Sequence, residues 1–212
     1  MTRAKICGLS TPAAVAAAIE GGADYLGFIF FDKSPRNVAP ETAARLTAPV
    51  REKAKVVAVM VNPDDETVAR INRTLAPDLI QLHGSESPSR AAAISALSGC
   101  GVIKVVTVSQ ASDIEAARPF DGGVEHLMFE GRPPSGSELP GGVGASFDWT
   151  LLKGLRFQRP HFLAGGLDPW NVSLAVRQSG APMVDVSSGV ERGPGLKDPG
   201  LISAFLDAVR RV

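Results

Sequence analysis

Cysteine is scarce in this chain: two residues in 212, Cys7 and Cys100. That leaves no disulfide framework and points to reduced thiols. Histidine numbers three, and no Cys/His cluster has the spacing of a zinc site, so no structural metal is expected. Tyrosine occurs once, and aromatic residues make up 6%. Charge of one sign is missing too. Lys+Arg and Asp+Glu both total 22, so the formal net charge is zero. This balance gives no basic surplus for nucleic acid and no like-charged tail. No apolar run approaches the ~20 residues of a membrane span. Met1-Thr2-Arg3 leads straight into a strand-like segment without the stretches of a secretory signal, so a cytoplasmic protein is expected.

What is present is alternation. Short runs, nearly continuous in apolar residues, recur at Ala4-Cys7, Tyr25-Phe30, Ala54-Val61, Leu79-Leu82, Val102-Val106, His126-Phe129, His161-Ala164 and Met183-Val186. Such runs suit parallel strands covered on both faces. Helix signals lie between them. Thr11-Pro12, Asn62-Pro63, Ser87-Pro88, Asp168-Pro169 and Asp198-Pro199 each pair a capping residue with proline at the first helical position. Gly99, Gly101 and Gly180 stand where left-handed helix ends are wanted. Eight β/α units predict a (β/α)8 barrel in one small domain spanning residues 1–212, with helices and loops trimmed below the ~250 residues typical of that fold. An open doubly wound sheet is the rival. It usually places a glycine-rich turn after its first strand, whereas here that position reads Gly8-Leu9-Ser10-Thr11-Pro12. The stretch Gly131-Gly144 reads as an active-site loop rather than a domain boundary.

Barrel active sites collect at strand C-termini. Cys7 ends the first strand, where a thiol becomes a base or nucleophile if its pKa is lowered. It reads equally as a small buried apolar residue. Gly165-Gly166 follows the seventh strand and Ser187-Ser188 the eighth. Backbone N–H groups there, with a short helix beginning near Ser187, suit a phosphate, with no lysine or arginine well placed in either loop. Taken singly, the glycines also read as a tight turn and the serines as a cap.

Several blocks together resemble the phosphoribosylanthranilate isomerase family over essentially the whole chain. They are Lys5-Ile6-Cys7-Gly8, Gly27-Phe28 with Ser34-Pro35-Arg36, Val59-Met60-Val61-Asn62, Gln81-Leu82-His83-Gly84, Leu139-Pro140-Gly141-Gly142, Phe147-Asp148-Trp149, Leu163-Ala164-Gly165-Gly166-Leu167 and Asp185-Val186-Ser187-Ser188-Gly189-Val190-Glu191. The resemblance implies an Amadori rearrangement of N-(5-phosphoribosyl)anthranilate in tryptophan biosynthesis, with no cofactor and a small phosphosugar as the only partner besides a possible second copy, in a monomer or homodimer. It assigns the general base to Cys7, with Lys5 as a helper or a member of a buried ion pair. Arg36 suits the anthranilate carboxylate, or else makes a surface salt bridge. Asp185 holds a ribose hydroxyl or polarises the site, or else caps the following helix. His83 faces the mouth, to position neighbours or touch substrate.

The chain departs from the family pattern at two places. Glu130 stands where an aspartate acid is expected, one methylene longer, followed by Gly131, whose freedom would let the strand end relax. Val143 replaces a small polar residue. The acid substitution supports a second reading, a phosphosugar-binding barrel with weakened or lost catalysis. A third, isomerisation of a related aminoimidazole ribonucleotide, commonly uses paired aspartates, and Cys7 in the first such position argues against it.

Overall fold

The apolar runs pair in chain order and close on themselves. In this computed structural model, which describes residues 1–137 and 139–212, eight parallel strands form a closed barrel in the order β1 to β8. They are β1 (Arg3–Cys7), β2 (Tyr25–Phe30), β3 (Lys55–Met60), β4 (Leu79–Leu82), β5 (Gly101–Val108), β6 (His126–Gly131), β7 (Phe162–Leu163) and β8 (Met183–Val186). The barrel is closed by β1 against β8, with Lys5 opposite Asp185. Outside run α1 (Pro12–Glu20), α2 (Pro40–Thr47), α3 (Asp65–Leu75), α4 (Pro88–Ser98), α5 (Ala111–Glu115), α6 (Val172–Ser179) and α7 (Pro199–Arg210). A small hairpin of β9 (Glu191–Gly193) and β10 (Leu196–Lys197) follows β8.

The two faces of each strand serve two cores. Outward residues such as Ile6, Leu26, Ile80 and Phe129 pack under the helices. Inward residues, among them Tyr25, Val57, Leu79, Ile103, Met128, Phe162 and Met183, fill the barrel. Tyr25, His126 and Phe162 meet edge to face and plug the floor. A fully buried Phe side chain such as Phe162 contributes roughly 2–3 kcal/mol of burial. The floor is therefore apolar, and the polar inward residues lie toward the strand C-termini.

Several helix starts follow their sequence signals. Thr11, Ser87 and Asp198 each accept a backbone N–H of the first turn beside Pro12, Pro88 and Pro199. Two do not. Asp64, not Asn62, caps α3, and Asn62 is left-handed in the preceding loop. Asp168 folds an Asx turn onto Trp170 and Asn171, so α6 begins only at Val172. Gly99 and Gly180 take the left-handed helix ends, but Gly101 opens β5. The chain economises between β6 and β7. There the described residues hold a single 3₁₀ turn, Trp149–Leu152, in place of a helix, and α5 has only five residues. Part of the predicted active-site loop, Glu138, lies outside the described residues.

Candidate active site

The strand ends present their side chains into a cleft lined by Cys7, Arg36, Gln81, His83, Glu130, Asp185 and Ser187, with Leu139–Gly142 along one side. Cys7, Arg36, His83, Glu130 and Asp185, expected as site residues from sequence, therefore share one cleft. Lys5 points the same way as Cys7 because side chains two apart on a strand share a face.

Lys5 Nζ donates to Asp185 Oδ1 at 2.8 Å, and Lys5 is fully buried. Burial opposes its charge, but Asp185 and Cys7 outweigh it and hold the ammonium above its ordinary pKa. Asp185 is thus a charge partner across the β1–β8 seam, not a helix cap. The helix expected after it is only a 3₁₀ turn, Ser188–Val190. Cys7 differs from the simple expectation. Burial pushes its thiol up, Asp185 adds to this, and Lys5 and Lys197 only partly offset it.

Glu130 is engaged at both oxygens. Oε1 accepts Gly142 N–H at 3.0 Å, and Oε2 lies 2.7 Å from His83 Nε2. Burial pushes its carboxyl upward, but His83, the Gly142 N–H and Lys5 prevail and hold it below the ordinary range. The longer side chain is thus accommodated by a partner at each end. Gly131 does not supply this by flexibility. A Cβ there would strike the Ala145 carbonyl, and one on Gly165 would lie 2.5 Å from the same oxygen. Both glycines let the 142–146 segment lie against the ends of β6 and β7. Val143 is part-exposed at the outer rim of this segment.

Arg36 is buried and forked onto Glu191, with Nε donating to Oε1 at 2.7 Å and Nη2 to Oε2 at 2.8 Å. Lys197 Nζ reaches the same carboxylate at 2.5 Å. It also donates to the Ser187 carbonyl at 2.9 Å, and Ser187 Oγ donates to the Cys7 carbonyl at 3.2 Å. Lys197, from the hairpin outside both phosphate loops, thus holds the Ser187 loop in place. Gly165 and Gly166 are both left-handed, so a side chain at either position would be strained.

Sequence reasoning assigned no role to Glu191, Lys197 or Gln81. Gln81 is buried in the cleft with Nε2 3.4 Å from His83 Nδ1 and Oε1 unpartnered. Beneath His83, buried Lys104 bonds Glu86 and the Gly84 carbonyl, both at 2.6 Å, and pins the loop after β4. Polar residues inside otherwise apolar strands, Gln81 and Lys104, were the available signal for both. Among the described residues no cluster of three or more His, Cys, Asp or Glu side chains could hold a metal ion, and no helix is long and apolar enough to cross a membrane.

Fold and mouth define a (β/α)8-barrel enzyme of the acid–base kind, with its chemistry at the C-terminal strand ends. Comparison with known proteins narrows the class. The model of the family described as "N-(5'phosphoribosyl)anthranilate (PRA) isomerase" matches residues 4–208, and the chain belongs to this family. It is 65% identical over 213 residues to the N-(5'-phosphoribosyl)anthranilate isomerase of Caulobacter sp. (strain K31), covering 100% of both chains. Identity to that of Rhizobium meliloti (strain 1021) is 49% over 210 residues, covering 99% of this chain and 98% of the relative. Among solved structures, phosphoribosyl anthranilate isomerase from Thermotoga maritima superposes with a TM-score of 0.89 at 34% identity, covering 100% of both chains. A phosphoribosyl anthranilate isomerase in complex with reduced 1-(o-carboxyphenylamino)-1-deoxyribulose 5-phosphate superposes at 0.85 with 31% identity, again over 100% of both.

Proposed function

We propose that the chain converts N-(5-phosphoribosyl)anthranilate to 1-(2-carboxyphenylamino)-1-deoxyribulose 5-phosphate, with Cys7 as general base and Glu130 as general acid. The observation that carries the residue assignment is the opposition across one cleft of a buried thiol on β1 and a histidine-bound carboxylate on β6. A proton delivered to the ribose ring oxygen opens the ring to a Schiff base. Removal of the C2 proton then gives an enolamine, which tautomerises to the ketone. For the first step Glu130 takes up a proton from solvent through the open cleft, with its Oε2 held 2.7 Å from His83 Nε2 so that the acid is aimed at the ring oxygen. The iminium formed by ring opening brings positive charge toward Cys7, which favours the thiolate that the second step needs.

Arg36 receives the anthranilate carboxylate on the guanidinium edge that Glu191 leaves open. Asp185 orients a ribose hydroxyl while paired with Lys5. The phosphate sits between Gly165-Gly166 and Ser187-Ser188. The protein works in the cytoplasm on a small molecule, as a monomer or homodimer, without cofactor. Loss of substrate fluorescence on adding purified protein tests this reading. Catalysed decay supports it, and binding of a product analogue without decay would leave only the phosphosugar-binding barrel.

A further inference from the structure

We infer that Glu191, held by Lys197, is a positioning and specificity-determining residue that makes Arg36 a receptor for one carboxylate. This inference rests on the proposed placement of the anthranilate carboxylate at Arg36. The guanidinium is walled on most sides. Its Nε and Nη2 are taken by the two oxygens of Glu191. Its stem crosses Gly8, where a Cβ would lie 2.7 Å from Arg36 Cδ. Its Nη1 lies beside Gly142, 3.2 Å from where a Cβ would stand. Both glycines have positive φ, 78° and 69°, so neither position readily takes a side chain. One edge is left to face the cleft.

Charge sharpens the point. Arg36, Glu191 and Lys197 are all buried, joined at 2.7 and 2.5 Å, and together carry two positive charges against one negative. A buried cluster with one surplus charge is unfavourable until an ion of opposite sign joins it. The aryl carboxylate supplies that ion, and the rigid fork gives it a planar, two-point partner. A neutral aryl group would leave the surplus uncompensated, so the site should reject it. Lys197 adds a second effect by tying the same carboxylate to the Ser187 carbonyl, next to Cys7. Filling the carboxylate site is thereby coupled to the loop after β8 that hydrogen-bonds the Cys7 carbonyl.

The test compares two substrates, N-(5-phosphoribosyl)anthranilate and the same compound built on aniline, which lacks the carboxylate. Glu191→Gln adds to the positive surplus but removes the fork that aims the guanidinium, so if positioning governs, the KM for the first should rise by about tenfold or more with kcat changed by less than about threefold, as expected for lost binding that is uniform along the reaction. The aniline compound should keep its kcat/KM within about twofold. Equal losses for both substrates would mean that Glu191 is only scaffold and would overturn the inference, as would an unchanged preference. Should Glu191→Gln not fold, Lys197→Gln leaves the fork intact and removes the surplus charge. It should lower the preference for the carboxylate several-fold, and an unchanged preference there refutes the idea. If instead the unaltered protein does not turn over the anthranilate compound at all, it is the proposed reaction that fails.

Discussion

Glu130→Gln separates the proton from the geometry. The amide is nearly isosteric with the carboxylate. Its oxygen can still accept from Gly142 N–H, a bond now 3.0 Å long, and its NH₂ can donate to His83 Nε2 if that ring carries its proton on Nδ1. The loop over the cleft and the substrate pocket should therefore survive, and KM should change only a few-fold. What is lost is a group able to release a proton to the ring oxygen. Removing a general acid typically lowers rate by ~10²–10⁴-fold, and that is the expected fall in kcat. Glu130→Asp is the informative companion. It retracts the carboxyl by one C–C bond, about 1.5 Å, so it cannot reach both His83 and Gly142. A shift of about 1 Å can cost ~100-fold, so the aspartate variant should be slower than the parent even though aspartate is the expected residue at this position in the family. Steady-state loss of substrate fluorescence gives both numbers. Wild-type kcat in Glu130→Gln would show that the ring-opening proton comes from elsewhere and that β6 is only scaffold.

Cys7→Ser should lose activity by ~10²–10⁴-fold while still binding a product analogue, because an alcohol cannot supply a base at neutral pH. Near-native turnover would remove Cys7 from the mechanism. Since burial pushes the thiol up, kcat/KM of the parent should climb with pH from neutral into the alkaline range and flatten or vanish in the serine variant. Inorganic phosphate should inhibit competitively. Ser188→Asp, which puts a negative charge in the loop after β8, should abolish that inhibition, and undiminished inhibition would place the anion elsewhere. His161 is buried against Phe129 and Phe157 with Nε2 unpartnered, and burial lowers its pKa to about 4. The unfolded chain then binds the extra proton first as pH falls, so stability is full above ~6.5 and declines toward pH 4. Between pH 7 and pH 5 the loss from this residue should be about 2 kcal/mol. Denaturant titrations of the parent and of His161→Leu should diverge by that much, and parallel curves would refute it.

The barrel was legible because its evidence is local. Eight apolar runs at β/α spacing survive as eight strands, with ends moved by a residue or two. The exceptions have tertiary causes. Asn62 looks like a cap beside Pro63, yet its side chain is claimed by Ser85 across the β3–β4 loops, and the cap passes to Asp64. The helix missing between β6 and β7 has no strong sequence signature, since Trp149–Leu152 is introduced by Asp148 as a helix would be. In the site, the residues found were those whose chemistry is conspicuous at a strand end. Glu191 and Lys197 were passed over because their meaning lies in partners, one of them 155 residues away, that only barrel closure brings near.

The same closure explains why the mouth tolerates so much buried charge. Its charged and polar groups arrive as pairs or triads, namely Lys5 with Asp185, Glu130 with the His83 ring, and Arg36 with Glu191 and Lys197. Each joins different elements, so each also stitches the barrel rim. Removing one member of a buried pair leaves the other uncompensated, typically at about 3–5 kcal/mol. A charge-neutralising variant therefore reports a chemical role when kcat falls while KM and folding stability hold. The discriminating measurements change the ligand rather than the protein: carboxylate against none at Arg36, phosphate against none at the glycine loops, and pH at Cys7. A group that acts on substrate will respond to its own ligand feature alone, whereas a group that only holds the rim will affect every ligand alike.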